Sequence, residues 1–426
     1  MQDNLNILIF TIAAISGDLG LNTWENLISS YKPANIANIC VREGNINTDI
    51  CKNYFIISEN RVIKRLFNKK IKTGYKITKS VMPSHKDLNE TSERYKRYKK
   101  KRRASLLLAR EFIWKIGKWR TKELDKFLDD FKPDVILHSM TGYIHLNRIV
   151  EYAIKRTGAR AVGYFWDDNF TYKPFKQTGY KIYRFFQRRS LHRLAKQTDD
   201  FFAISDMTKA EADDFFGVNC KVLTKFIEKF AAVDYSNMNK PLKMLYTGNL
   251  YIGRDNTLGK IIRALEQINK DETKIILDVY ATSYDTDGIQ GSKYCVIHPP
   301  VNQTEVLRLQ EQADIMVFME DIDGQYANIA RLSFSTKITD YLSSGKCIFA
   351  VGNIDVAPMQ YFKKYNAAII AYSEQTILEQ LNNIVNDTDL IIQYANNAIN
   401  CGKLNHSKDK ILKTFDSVIT DRSGEL

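Results

Sequence analysis

Leu332-Ser-Phe-Ser-Thr-Lys-Ile-Thr-Asp-Tyr-Leu-Ser-Ser-Gly-Lys346 brings a helix start, a cation and a carboxylate close together. Ser335 and Thr336 can cap the helix, and Ile338, Tyr341 and Leu342 fall at i, i+3 and i+4 on one apolar face. Gly345 supplies the stop, so the spacing predicts a helix of about two turns. Lys337 and Asp340 are three apart and project beside the buried face, near a helix N-terminus whose free N–H groups and dipole attract an anion. A diphosphate suits that arrangement. Lys337 would neutralise phosphate charge, and Asp340 could accept from paired hydroxyls such as those of a ribose.

A Lys–Asp pair on a helix is more often a solvated ion pair. Here, however, the apolar run Cys347-Ile-Phe-Ala-Val351 and then Gly352 follow directly, so the helix feeds a buried strand. Open α/β sheets bind ligands at that kind of crevice. The run resembles the donor-binding signature of two-Rossmann (GT-B) glycosyltransferases of the retaining, family-4-like group, roughly Pro/Ser-x-Lys-x-x-Glu/Asp-Tyr-Leu-Ala-x-Gly-Lys-Pro. The resemblance implies an α/β chain with two Rossmann-like domains facing a cleft and a C-terminal helix crossing back to the N-domain. Residues 1–225 would form the acceptor-binding domain, 226–240 the linker, 241–404 the nucleotide-sugar domain and 405–426 the crossing helix and tail.

Composition is compatible with that expectation. The 426 residues are 44% hydrophobic and 26% charged, enough for two domains with real cores. A formal net charge of +13 implies an anionic partner: nucleic acid, a phospholipid surface or a phosphorylated substrate. The six cysteines are scattered, without Cys-x-x-Cys or His at metal spacing, which argues against a disulfide framework or zinc site and fits a reducing, cytoplasmic compartment. The first apolar run, Ile7 to Ile15, is too short to span a bilayer and reads as strand one.

Along the N-terminal half, that strand is followed by a loop with Gly17 and Gly20. It reads either as an ordinary connection or as a loop whose backbone approaches a donor ligand. Arg94-Tyr-Lys-Arg-Tyr-Lys-Lys-Lys-Arg-Arg103 runs into a helix with Phe112, Trp114 and Trp119, and a second basic and aromatic cluster spans 172–196. Cations for headgroups and aromatics for the interface suit a peripheral membrane contact; a solvated basic face on a core helix is the plainer reading. Pro133-Asp-Val-Ile-Leu-His138 and Ala161-Val-Gly-Tyr-Phe-Trp-Asp-Asp168 read as buried strands, ending in His138 and in Asp167 and Asp168. The first resembles the family's Pro-Asp-x-Ile-His strand and the second its His-Asp strand end, with Trp166 in the His place. His138 and Asp167 are therefore candidate catalytic residues, although a lone strand-end His is more often structural.

After Lys240-Pro241 the Rossmann pattern restarts. Leu242-Lys-Met-Leu-Tyr-Thr-Gly-Asn249 is a strand, Tyr251-Ile-Gly-Arg254 a loop, and Leu258 to Ile268 a helix. Gly248 and Gly253 free the backbone, Asn249 follows, and Arg254 at the loop tip can reach an anion; by resemblance it contacts the donor diphosphate. Pro300 and Val301 lie where the family holds the nucleobase by backbone groups. The resemblance covers most of 200–420 but only strand ends of the N-terminal half. One position departs from it: the first of the family's two glutamates is Leu332, so a contact to the transferred sugar would come from Glu320, Asp321 or Asp323, and the stereochemical outcome is open.

The reading is a GT-B enzyme of hexosyltransferase type moving a sugar from a nucleotide-diphosphate donor to a glycan or lipid-linked acceptor, peripheral on the inner face of the plasma membrane. Arg254, Lys337 and helix N–H groups would offset charge on the leaving diphosphate, with no metal and no cofactor beyond the donor substrate. Asp321-Ile-Asp323 formally matches a metal-binding Asp-x-Asp. Replacing Arg254 or Lys337 should slow turnover with little effect on folding. The alternatives are a nucleotide-sugar epimerase or phosphorylase on the same fold, and a basic nucleic-acid-binding protein; no zinc finger or RNA-binding motif supports the latter, and nucleic acid is not expected as a partner.

Overall fold

Continuous apolar runs become parallel strands buried on both faces, as strands sandwiched between helices must be. The computed structural model describes residues 5–15, 23–44, 46, 49–77, 104–174, 177–281, 291–324 and 326–420. The chain forms two compact units, Met1–Leu223 with Lys413–Leu426, and Thr224–Leu412. Residues 226–240, expected as a linker, thus belong to the second unit. Gly17, Gly20, the Arg94–Arg103 run and residues 175 and 176 of the 172–196 cluster lie outside the described residues.

The first unit is built on β1 (Ile7–Ala13), β2 (Ile36–Arg42), β3 (Asn53–Ile57), β4 (Gly74–Lys76), β5 (Val135–Ser139), β6 (Arg160–Phe165), β7 (Asp200–Ala203) and β8 (Lys221–Val222). They lie in the order β4-β3-β2-β1-β5-β6-β7-β8, parallel except for β3 against β4. Ile7, Leu8, Ile9 and Phe10 of the central strand are wholly buried. The Lys408–Ile419 helix brings Phe415 into this core, where it meets Trp24, Tyr31 and Phe202 at 6.5, 6.2 and 6.0 Å between ring centroids.

The helix Ala104–Ile116 corrects one expectation. Phe112 is exposed, but Trp114 is wholly buried, its indole N–H donating to Glu59 at 3.1 Å and its ring stacked on His145 at 4.6 Å. Trp119 is also buried. A helix flank supplies few polar partners, so an indole N–H finds its carboxylate inside. Neither tryptophan is available to a membrane interface in this arrangement.

The second unit holds β9 (Leu242–Gly248), β10 (Ile275–Ala281), β11 (Cys295–His298), β12 (Ile315–Met319), β13 (Cys347–Val351) and β14 (Ile369–Ala371), all parallel, in the order β11-β10-β9-β12-β13-β14. The order reverses between β9 and β12, which makes that pair the switch point where crossovers diverge and a crevice opens at the carboxyl ends. The Lys337–Ser343 helix buries Ile338, Tyr341 and Leu342 and feeds β13, whose five residues are wholly buried. Gly345 ends it in the left-handed region, φ 70°, and a Cβ there would fall 2.3 Å from the Ala232 carbonyl oxygen. Both the backbone conformation and the close backbone approach exclude a side chain. Gly345→Ala should therefore destabilise the protein by about 1–3 kcal/mol, read as a lower urea midpoint at unchanged m-value.

Candidate functional site

Gly248 closes β9 and Glu320 follows β12, so both flank the switch point of the second sheet. A Cβ built on Gly248, whose φ is 150°, would lie 1.8 Å from Lys337 Nζ. The lysine head thus occupies the space that any other residue at 248 would fill. Nζ also sits 4.8 Å from the centre of the Tyr246 ring, a cation–π contact. The Lys337 ammonium makes no ion pair or hydrogen bond among the described residues. Burial, helped by repulsion from Arg254, pushes its pKa down to about 8.

Arg254, expected at a loop tip where it could reach an anion, opens the Arg254–Ile268 helix and is tied into the protein. Its Nε donates to the Met319 carbonyl at 3.0 Å, one terminal nitrogen to Asn249 Oδ1 at 2.9 Å, and the other to both oxygens of Glu320 at 2.8 and 2.9 Å. The guanidinium is committed to the protein, fixing Asn249 against the end of β12. Glu320 is buried, and burial pushes its carboxyl above the usual range against the pull of Arg254. Proximity of Arg254 to Lys337 still adds positive potential, but direct contact with a phosphate would have to displace part of this network.

At the helix start, Thr336 occupies the cap position with its side chain making no capping bond, contrary to expectation. Its helical backbone dihedrals turn the hydroxyl away from the geometry a cap requires. Ser335 Oγ accepts from the Lys337 N–H at 3.4 Å. Asp340 is held by Lys225, Nζ to Oδ1 at 2.6 Å. Burial pushes the Asp340 carboxyl up, while Lys225 and Lys337 oppose the shift. Lys225 escaped the sequence reading, yet a lone cation in Leu223-Thr-Lys-Phe-Ile227, otherwise a buried run, was the available signal.

Pro300 is exposed and Val301 half-buried in the turn after β11. That strand is two places from β9, about 10 Å away along the same carboxyl edge. Before the turn, His298 bonds Asp278 at 2.7 Å and stacks on Tyr280 at 4.4 Å. Leu332, in the place of the family's first glutamate, is wholly buried. Of the carboxylates that could replace it, Glu320 is taken by Arg254, Asp321 is buried and accepts from the Tyr326 N–H at 2.5 Å, and Asp323 pairs with Lys260 at 2.9 Å.

In the first unit, His138 is wholly buried in β5 opposite Phe10, its Nε2 bonded to Thr198 Oγ1 at 3.1 Å. Burial pushes its imidazole down to about 4, so it is neutral at physiological pH. Such a ring is packed as a core residue. Asp167 is exposed just past β6, and its neighbour Asp168 is buried as the acceptor for the Thr171 N–H at 2.8 Å.

The Arg254–Glu320 pair has a consequence for folding that the sequence did not suggest. Arg254→Ala leaves Glu320 buried and unpaired, and should cost about 3–5 kcal/mol, with Glu320→Gln milder. Guanidinium-chloride unfolding measures both; an Arg254→Ala protein as stable as wild type would show the pair to be energetically idle.

No family model and no curated protein matches this sequence. Solved structures do. TarM of S. aureus aligns with TM-score 0.54 and 11% identity over 70% of this chain and 57% of its own, so this chain spans little more than half of TarM. Anabaena Alr3699/HepE in complex with UDP aligns with TM-score 0.60 and 12% identity over 98% of this chain and 100% of its own. The alpha,alpha-trehalose 6-phosphate synthase from Burkholderia multivorans gives 0.60 and 10% over 99% of both. These neighbours are GT-B glycosyltransferases, mostly of the retaining family-4 group, and the two Rossmann-like sheets give this chain the GT-B fold.

Proposed function

We propose that this chain is a glycosyltransferase that takes a sugar from a nucleotide-diphosphate donor. The observation that carries the reading is the Lys337 ammonium, unpaired among the described residues, at the switch point of the second sheet and seated in the space left by Gly248. A diphosphate there would gain the partner that the protein withholds. Neighbouring structures hold UDP, UDP and glucose, or UDP-glucose, which supports a nucleoside diphosphate as the ligand class. In this reading the second unit is the donor domain and the first the acceptor domain. Lys337 meets the phosphates, Asp340 accepts from the ribose, the Pro300–Val301 turn lies against the base, and Ser335 and Thr336 offer hydroxyls. Arg254 raises the local potential and fixes Asn249. Charge growing on the leaving diphosphate is then offset by groups already in place, the main source of rate in transfer chemistry of this kind.

The acceptor we propose is a glycan or lipid-linked glycan at an anionic membrane on the cytoplasmic side. Its support is the helix Thr178–Ala195, which exposes Ile182, Phe185 and Phe186 beside the exposed cations Lys181 and Arg189. Among the described residues no helix is long and apolar enough to cross a membrane, so any contact through them would be peripheral. An epimerase or phosphorylase on the same fold differs in needing no separate sugar acceptor, or in using phosphate as one.

Calorimetry with UDP and other nucleoside diphosphates tests the donor reading directly. Lys337→Ala should weaken binding by about 10- to 1000-fold, the loss of a charge-assisted contact, while leaving the fold intact. Because the Lys337 ammonium is charged below about 8 and neutral above, affinity should hold at pH 7 and fall as the pH rises through 8 to 9.5. Lys337→Ala should flatten that profile. If no nucleoside diphosphate binds, the donor reading fails.

For the membrane, co-sedimentation with phosphatidylglycerol vesicles should drop about tenfold or more in Phe185→Ser/Phe186→Ser, and further with Lys181→Glu/Arg189→Glu at about 1 kcal/mol per cation. Binding that ignores lipid charge would leave this helix as a solvated face.

A further inference from the structure

Resting on the donor reading above, we propose that Lys225 is a positioning residue of the donor site. It holds Asp340 as a fixed, ionised acceptor for the ribose hydroxyls and keeps that carboxylate off Lys337. The Lys225 side chain is only 8% exposed, and its ammonium lies 2.6 Å from Asp340 Oδ1, whose side chain remains 35% exposed. One end of the pair is thus anchored in the protein and the other faces outward, the arrangement of a support and the group it supports.

The backbone around Lys225 is pinned on both sides. Thr224 Oγ1 is 2.7 Å from His406 Nδ1, the Ile227 N–H donates to the His406 carbonyl at 2.8 Å, and the Ala231 N–H donates to the Ser343 carbonyl at 2.8 Å. The segment therefore runs along the Lys337–Ser343 helix and delivers its cation to one side of Asp340. Lys337 stands three residues back on the same helix, where i and i+3 side chains are neighbours, and its charge also acts on Asp340. Without Lys225, the nearest cation left for Asp340 is Lys337. That pairing would remove the ribose acceptor and cancel the phosphate cation together. An aspartate is one methylene shorter than the glutamate that the family pattern allows here, so its position depends more on what holds it.

The test uses the full chain with UDP and 2′-deoxy-UDP as probes, read by calorimetry. Wild type should prefer UDP about tenfold, the worth of one charge-assisted hydrogen bond to the 2′-hydroxyl. Lys225→Met should lose that preference and bind UDP about tenfold or more weakly, matching Asp340→Asn, and should add nothing in the Asp340→Asn background. Lys225→Arg should restore the preference, since a guanidinium also binds a carboxylate. A merely structural lysine would weaken both probes equally and leave their ratio alone. If Lys225→Met is not folded by circular dichroism, Lys225→Gln is read on the same ratio. A retained preference in the neutral variant overturns the role of Lys225 and leaves the donor reading standing; failure of wild type to bind any nucleoside diphosphate overturns both.

Discussion

Two cations that repel each other share the carboxyl edge of the second sheet, and one buried carboxylate, Glu320, makes that possible. Burial and the nearby Arg254 lower the hold of the Lys337 ammonium on its proton, whereas the Arg254 guanidinium, against the cost of its burial, is held above its ordinary range by Glu320. Glu320 takes the guanidinium through both oxygens, so Arg254 becomes a structural strut that also fixes Asn249. Among the described residues, the Lys337 ammonium is left without a carboxylate or hydrogen-bond partner, over the Tyr246 ring. One of the two cations is thus held by a carboxylate and the other, among the described residues, is not.

Much of this was legible in the sequence. The helix of about two turns, its buried face at Ile338, Tyr341 and Leu342, its stop at Gly345 and the buried strand after it all follow from local periodicity and backbone constraint, and all are in the structure. Gly248 and Lys337 were each singled out, though not their contact, which depends on the order β9-β12-β13 in the sheet. The same order explains why Arg254 turns inward: Glu320 is far away in sequence and becomes its neighbour only when β12 pairs with β9. Lys225 was missed because a single charged residue past a short strand carries no period.

The aromatic positions mark the other limit. Phe112 and Trp114 sit two apart on one helix, and only the tertiary partners Glu59 and His145 decide that the tryptophan goes inside. His138 looked like a strand-end residue by its place in the run; its neighbour Thr198, sixty residues on, gives the ring a bond inside the core. Composition and spacing supply the elements, and pairing between distant elements supplies the assignments of individual side chains.

The last helix bears on the order in which the molecule can be made. Phe415 completes the aromatic core around Trp24, Tyr31 and Phe202, and the Tyr31 hydroxyl donates to Asp416. During translation at about 5–20 residues per second, on the order of ten seconds or more separate the emergence of Phe202 from that of Phe415. Throughout that interval the first unit must keep an apolar surface uncovered while the whole of the second unit is synthesised and folds. The nascent chain therefore carries a risk of association from the emergence of Phe202 until Phe415 follows it.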